Sequence, residues 1–239
     1  RQGYTNAGKS SLFQHLSGKT VLVEDQLFST LETTVGRMEK SPRILLADTI
    51  GFIDNIPNAT LAAFKATIAE AIDADLTLIL LDTSDSLPEA QRKLETTRRE
   101  VLERQDHEAD GLDEVQTPHV VLTKVDATTA QQQRAVSDLV MEQGFPEPVA
   151  ISSLTGEGID KLQHFIREQL FGAPVFMHVH PPTTASADAS ERIISSIYDQ
   201  GMVENVDRLE GGTVVLNVWM TAACQAQLLA RWGARIDIK

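Results

Sequence analysis

Over its first 172 residues the chain switches repeatedly between two hydrophobic periods. In "SSLFQHLSG" the apolar Leu12, Phe13 and Leu16 recur at helical spacing, and Gly18 is a stop signal. "RILLADT" is a short apolar run closing on Asp48 and Thr49, which predicts a strand. Helical spacing returns with Leu61, Phe64, Ile68 and Ile72 in "TLAAFKATIAEAI". "LTLILLDTS" is almost continuously apolar, the pattern of a strand covered on both faces. "PEAQRKLETTRREVLER" predicts a polar helix that packs through Leu94, Val101 and Leu102, and the acidic, aperiodic "QDHEADGLDEVQTP" predicts an exposed loop. A strand "HVVLTKVD", a helix "ATTAQQQRAVSDLVMEQG" and a strand "PVAISSL" follow. The helix "GIDKLQHFIREQLFG" closes the series, with Ile159, Leu162, Phe165, Ile166 and Leu170 on one side. Strands alternating with helices predict a mostly parallel sheet with helices on both faces.

The character changes near Gly172–Pro174. A strand-like "PVFMHV" leads into a Pro-rich polar loop and a helix "SERIISSIYDQG". Two strand-like runs, "MVENVDRL" and "TVVLNVWM", are joined at Glu210-Gly211-Gly212, a hairpin signal. A helix "AACQAQLLARWG" and a final "ARIDIK" complete a β-α-β-β-α-β order, which suits a small α+β ferredoxin-like domain. The sequence thus predicts an α/β domain over residues 1–172 and a small α+β domain over residues 173–239.

Composition narrows the function classes. A formal charge of −13 speaks against a generic DNA-binding surface, which would be basic. Arg92, Lys93, Arg98, Arg99 and Arg104 cluster in one helix, but read best as a solvated face with Glu95, Glu100 and Glu103 as partners. The single cysteine, Cys224, rules out an intrachain disulfide and a cysteine zinc cluster, and suits a reducing cytoplasm. The longest apolar stretches are too short to span a bilayer. His178 and His180 share a strand face without an identifiable third ligand, so they read as structural or exposed. Trp219 and Trp232 read as core.

Four short motifs carry the chemistry. "GYTNAGKS" fits the phosphate-loop pattern G-x-x-x-x-G-K-S/T, and a helix follows at once. The amides of Gly3, Tyr4, Thr5, Asn6, Ala7 and Gly8, with those of the helix start through Ser11, would converge on phosphates. Lys9 would reach the β- and γ-phosphates, and the Ser10 hydroxyl would ligate Mg²⁺. In "LLADTIGF", Asp48 ends a strand, where it can hold Mg²⁺ through water. Thr49 and Ile50 lead from it to Gly51, whose N–H can meet the γ-phosphate. In "TKVD" (Thr123, Lys124, Val125 and Asp126), the Asp126 carboxylate would accept from guanine N1–H and the exocyclic amine. Lys124 would lie along the base plane. Adenine offers neither donor, so the same carboxylate rejects it. "ISSLTGEG" would close over the base, with Ser152, Ser153 and Leu154 near the guanine O6. In this order the four motifs specify a guanine-nucleotide site. A phosphate loop ordinarily follows a hydrophobic strand, and only Arg1 and Gln2 precede this one. The first strand of the sheet is therefore expected upstream, in a longer protein.

The segments "GYTNAGKSSLF", "DQLFSTLETTVGRM", "DTIGFIDNIPNATLAAFKATIAEAIDADL" and "TKVD" resemble the HflX family of ribosome-associated GTPases, over most of residues 3–172. The resemblance implies a Ras-like P-loop domain with Phe28, Ser29, Thr30, Leu31 and Glu32 in its first switch segment. It makes Thr30 the Mg²⁺-ligating switch threonine, where the residues alone leave Thr30, Thr33 and Thr34 equivalent. Lys9, Thr30 and Gly51 then form the catalytic set. The family implies GTP hydrolysis to GDP and phosphate with Mg²⁺; a cytoplasmic monomer is expected. It also implies association with the large ribosomal subunit, rescuing or splitting stalled or idle ribosomes. The chain departs from the family pattern in lacking proline in "LETT". Asp54 stands where arginine is frequent, and Thr123 where asparagine is commoner. The family's N-terminal domain, which carries much of the ribosome contact, is not among these residues. Phe52 follows D-x-x-G where many GTPases place a water-orienting glutamine, so slow intrinsic hydrolysis is expected. Other readings of the same motifs are a nucleotide-gated binding module with incidental hydrolysis, and a related ribosome-assembly or tRNA-modifying GTPase.

Overall fold

The computed structural model describes residues 8–17, 34–39, 42–48, 74–108, 117–181 and 188–239. The expected helix over Leu61–Ile72 lies outside them. Contacts divide the chain into two units, Arg1–Gly36 with Leu45–His164, and Arg37–Ile44 with Phe165–Lys239.

In the first unit, helix α1 (Lys9–Ser17) buries Leu12, Phe13 and Leu16, the three residues whose spacing predicted it. Strands β1 (Thr34–Glu39) and β2 (Ile44–Asp48) form a two-stranded sheet. Gly36 of β1 is dictated by packing: a Cβ there would meet Phe13 Cζ at 2.6 Å and Ser17 Cβ at 2.7 Å. The helix therefore lies flush against the strand.

Strands β3 (Leu78–Asp82), β4 (His119–Thr123) and β5 (Val149–Ala150) form a three-stranded parallel sheet with β4 in the middle. Parallel neighbours cannot be joined by a tight hairpin. The crossovers are α2 (Leu87–Glu108) between β3 and β4, and α3 (Ala130–Glu142) between β4 and β5. Ile79 and Leu81 of β3, Val120 and Leu122 of β4, Ala90 and Leu94 of α2, and Val136 and Val140 of α3 share one core. Helix α3 opens with a reciprocal cap in which the Thr129 hydroxyl accepts from the Gln132 N–H and the Gln132 side chain accepts from the Thr129 N–H. Helix α2 runs one turn past Arg104, through residues the sequence reading placed in the loop, because Gln105 and Glu108 are good helix formers.

The basic face of α2 finds partners other than Glu95. Arg92 pairs with Glu89 at 2.7 Å, and Lys93 reaches back to Asp85 at 2.5 Å. Arg98 donates to the Gln143 carbonyl, while Glu95 accepts from Gln91. Acidic groups at the start of a helix suit its dipole, and they draw the cations N-terminally. The side chains of Glu100, Glu103 and Arg104 lie outside the described residues.

Helix α4 (Ile159–Phe171) crosses from the first unit into the second. The second unit continues with β6 (Val175–Val179), α5 (Asp188–Gln200), β7 (Met202–Arg208), β8 (Val214–Trp219), α6 (Ala222–Trp232) and β9 (Ile236–Ile238). Its antiparallel sheet runs β7-β8-β6-β9, the ferredoxin-like order that the β-α-β-β-α-β succession predicted. The β7–β8 turn uses Gly211 and Gly212 with φ of +90° and +83°. Met177, Val179, Leu216 and Val218 alternate inward and meet Ile193, Ile197 and Leu228 from the helices. Trp219 is buried and Trp232 packs on this core, as expected. His180 Nε2 lies 2.8 Å from Asp237 Oδ2, and no cluster of three metal-binding side chains occurs among the described residues. Glu39 accepts from Arg167 Nε and Nη2 at 3.2 and 2.6 Å, tying the β1 end of this unit to α4. No described helix is long and apolar enough to cross a membrane.

One position in each unit tests this packing. Gly158 has φ +73°, and a Cβ there would collide with the Ala150 carbonyl. Gly158→Ala should cost about 2 kcal/mol or more from the left-handed backbone and the clash together. Leu216→Ala should cost about 2–5 kcal/mol in the second unit. Urea denaturation of each variant reads both; a midpoint unchanged from the parent would contradict the packing described.

Candidate functional site

Open parallel sheets place ligands beyond the carboxyl ends of their strands, and here the register brings those ends level. Asp82, the last residue of β3, pairs with Thr123, the last of β4. Leu122 pairs with Ala150, the last of β5. The loops that leave these strands carry the "TKVD" and "ISSL" motifs, so strand pairing alone juxtaposes them.

Thr123 is buried, and its hydroxyl points back to the Leu81 carbonyl at 3.4 Å. The chain then turns sharply. Lys124 has φ +57°, and among the described residues it is the only non-glycine in the left-handed region. The turn sends the Val125 N–H to the Ile151 carbonyl at 3.3 Å, which ties the two motif loops together. Val125 is buried and opens a short 3₁₀ turn, Val125–Ala127. Asp126, next along, is exposed and makes no hydrogen bond or ion pair with any described residue. Its carboxylate is free to accept.

The loop after β3 holds this turn in place. The Thr83 hydroxyl lies 2.9 Å from the Thr123 carbonyl oxygen, 3.2 Å from that of Lys124 and 3.0 Å from the Thr128 hydroxyl. The Thr83 N–H also donates to the Thr123 carbonyl, at 3.1 Å. Asp82 Oδ2 takes the Lys124 ammonium at 2.6 Å, while Oδ1 accepts from the Ser84 N–H and hydroxyl. Burial pushes the Asp82 carboxyl up, but bonds from Lys124 and Ser84 outweigh it and hold the group below the ordinary carboxylate range. Asp82 is therefore an ionised group, 7 % exposed and fully committed to partners.

The "ISSL" loop is equally built. Ser152 is completely buried, and its hydroxyl accepts from the Leu154 and Thr155 N–H groups at 3.2 and 3.1 Å. Leu154 is thrown outward, 85 % exposed. The Ser153 carbonyl meets His15 Nε2 of α1 at 2.6 Å, so the helix behind the phosphate loop and the base loop touch directly. The Ser153 hydroxyl is buried with no hydrogen-bond partner, a polar group that a ligand edge could satisfy.

At the phosphate end, Gly8 has φ +77° and its carbonyl accepts from Leu12 N–H at 2.9 Å, closing the first turn of α1. Lys9, Ser10 and Ser11 occupy that turn. Asp48 ends β2 and Thr34 begins β1. Gly3, Tyr4, Thr5, Asn6, Ala7, Phe28, Ser29, Thr30, Leu31, Glu32, Thr33, Thr49, Ile50, Gly51 and Phe52 lie outside the described residues. Sequence reasoning missed Asp82, Thr83, Ser84 and His15. The first three had a signal, a polar triplet closing an apolar strand in "LLDTS"; His15 had none.

Comparison with known proteins agrees with this geometry. A family model described as a 50S ribosome-binding GTPase matches residues 2–124, and one described as the HflX C-terminal domain matches residues 139–237. A GTPase HflX of Gluconacetobacter diazotrophicus is 36 % identical over 215 residues, covering 89 % of this chain and 44 % of the relative. That of Escherichia coli is 33 % identical over 237 residues, covering 98 % and 52 %. The chain thus spans about half the length of the curated relatives it matches. Among solved structures, the SsGBP and GDP complex superposes with a TM-score of 0.52 at 24 % identity, covering 69 % of this chain and 46 % of that one. A single-substitution variant of S. thermophilus NFeoB bound to GDP.AlF4- gives 0.51 at 20 %, covering 80 % and 67 %. These neighbours share the Ras-like P-loop fold of the first unit. With its two family segments in order and its likeness to HflX proteins along nearly all of its length, this chain belongs to the HflX family of GTPases.

Proposed function

We propose that this chain binds guanine nucleotides at the carboxyl edge of its parallel sheet and hydrolyses GTP to GDP and phosphate. On this reading it acts on the large ribosomal subunit, as an HflX-type factor that rescues or splits stalled or idle ribosomes. The observation that carries the nucleotide reading is the free, exposed Asp126 carboxylate, held by the Val125–Ile151 bond beside the Ser152–Leu154 loop. That carboxylate reads the guanine N1–H and amine, Lys124 lies along the base, and Ser152, Ser153 and Leu154 border the O6 edge. Gly3 through Gly8, with the first turn of α1 through Ser11, cradle the phosphates, and Lys9 reaches the β- and γ-phosphates.

The ligand set for magnesium in this reading is Ser10, Asp48 and Thr30, all oxygen donors as a hard cation prefers. Mg²⁺ would neutralise charge on the β- and γ-phosphate oxygens. In this reading Phe28 to Glu32 belong to the first switch segment, and Asp48, Thr49, Ile50 and Gly51 to the second, whose Gly51 N–H can meet the γ-phosphate. Phe52 offers no group to orient water. We place the GTPase domain at residues 1–172 and the small domain at residues 173–239, in a cytoplasmic monomer.

Fluorescent GDP and GTP analogues test the site. Asp126→Asn should lower guanine-nucleotide affinity by about 10²-fold or more and move preference toward xanthine nucleotides. Equal GDP affinity in the variant would overturn the assignment of the base reader. Phosphate release should be slow alone and rise severalfold with large ribosomal subunits. Ribosome binding that requires GTP but leaves turnover unchanged would instead make the protein a nucleotide-gated binder.

A further inference from the structure

Asp82 is not part of any nucleotide-binding motif, yet the geometry around it is that of a designed support. It ends β3 level with Thr123, is 7 % exposed, and uses both oxygens. One oxygen holds the Lys124 ammonium at 2.6 Å; the other takes two bonds from Ser84. Lys124 itself sits in a left-handed conformation that costs a non-glycine residue about 1 kcal/mol. The turn is kept by the Thr83 contacts to the Thr123 and Lys124 carbonyls. A long, flexible lysine is thus fixed at both ends, its backbone by Thr83 and its head by Asp82.

We infer that Asp82 is a positioning residue for base recognition, holding Lys124 extended across the carboxyl edge of the sheet so that its methylene stem forms one wall for the purine. The inference rests on the guanine-nucleotide reading above. An unanchored lysine would sample many rotamers and would have to be ordered when the base arrives; ordering such a side chain costs about 0.5–1.5 kcal/mol. Here the ordering is done before the ligand binds. The paired ammonium is also already partly removed from water, so a base laid along the stem strips less hydration from it. Because the stem lies along the ring face rather than at its hydrogen-bonding edge, Asp82 should govern how tightly any purine is held and not which purine is chosen.

The substitutions separate this role from a merely architectural one. In Asp82→Asn the side-chain oxygen can still accept from Ser84, so the loop keeps its shape while the anchor loses its charge. Ser84→Ala keeps the charged anchor and removes the hydroxyl's bond to it, leaving that of the Ser84 N–H. We expect Asp82→Asn to weaken GDP and IDP by the same factor, about fivefold to tenfold, with Ser84→Ala near the parent. In a Lys124→Met background, Asp82→Asn should have no further effect, since Asp82 acts through that lysine. Additive losses in the double variant, or losses in Ser84→Ala as large as in Asp82→Asn, would show a loop-building role and overturn the inference. A changed GDP to IDP ratio in Asp82→Asn would overturn it as well. Should Asp82→Asn unfold, Asp82→Glu, which retains the charge, must restore folding and GDP affinity together; folding without affinity would again count against it. Failure of the parent protein to bind GDP at all would refute the guanine reading, a separate result from any of these.

Discussion

The parallel pairing of β4 between β3 and β5 is the constraint on which the candidate site depends. Its register makes Asp82 and Thr123 neighbours and brings the Ile151 carbonyl within reach of the Val125 N–H. Val120, Val121 and Leu122 are almost wholly buried, so β4 cannot shift without exposing core residues on one face or the other. A register slip would move every loop of the site by a residue. Specificity toward a ligand is in this sense inherited from hydrophobic burial several residues away.

Two tightly surrounded glycines of the first unit show the same dependence from the other side. Gly36 lets α1 approach β1 without a side chain between them. Gly158 lets the "ISSL" loop return past Ala150 to begin α4. Between them, α1 and the base loop come close enough for His15 to meet the Ser153 carbonyl. Helix α1 at the phosphate end and the loop at the base end of the proposed site are therefore joined by a direct bond.

Much of this was legible in the sequence, for identifiable reasons. The runs "LTLILL" and "HVVLT" are apolar without alternation, and they became β3 and β4; β4 is buried at all but its first residue, whereas Leu78 and Leu80 of β3 are only half-buried. The strand-like runs "PVFMHV" and "TVVLNVWM" pair as β6 and β8. The motif proposed to read the base stands out in the sequence because such chemistry admits few residue types. The Asp82 anchor was harder to see: aspartate at a strand end is common, and only the strand register reveals which lysine it faces. The partners that Arg92 and Lys93 take at the start of α2 escaped the sequence for a related reason. Helical spacing counts Glu95 as a neighbour of Arg92, but it ignores Asp85, which lies before the helix and captures Lys93.

Two aspartates at one sheet edge receive opposite treatment, and the difference follows from what each must do. Asp82 is buried, so it can remain charged only with its partners made, and Lys124 and Ser84 supply them. Asp126 is exposed, so water can satisfy its charge until a ligand does. Exchanging the two environments would fail in both directions. A buried, unpaired Asp126 would take up a proton and lose the acceptor proposed to distinguish guanine from adenine. An exposed Asp82 would face a solvated lysine, and exposed ion pairs of that kind contribute little. On the proposed reading the edge works because the anchoring carboxylate is withdrawn from solvent and the reading carboxylate is not.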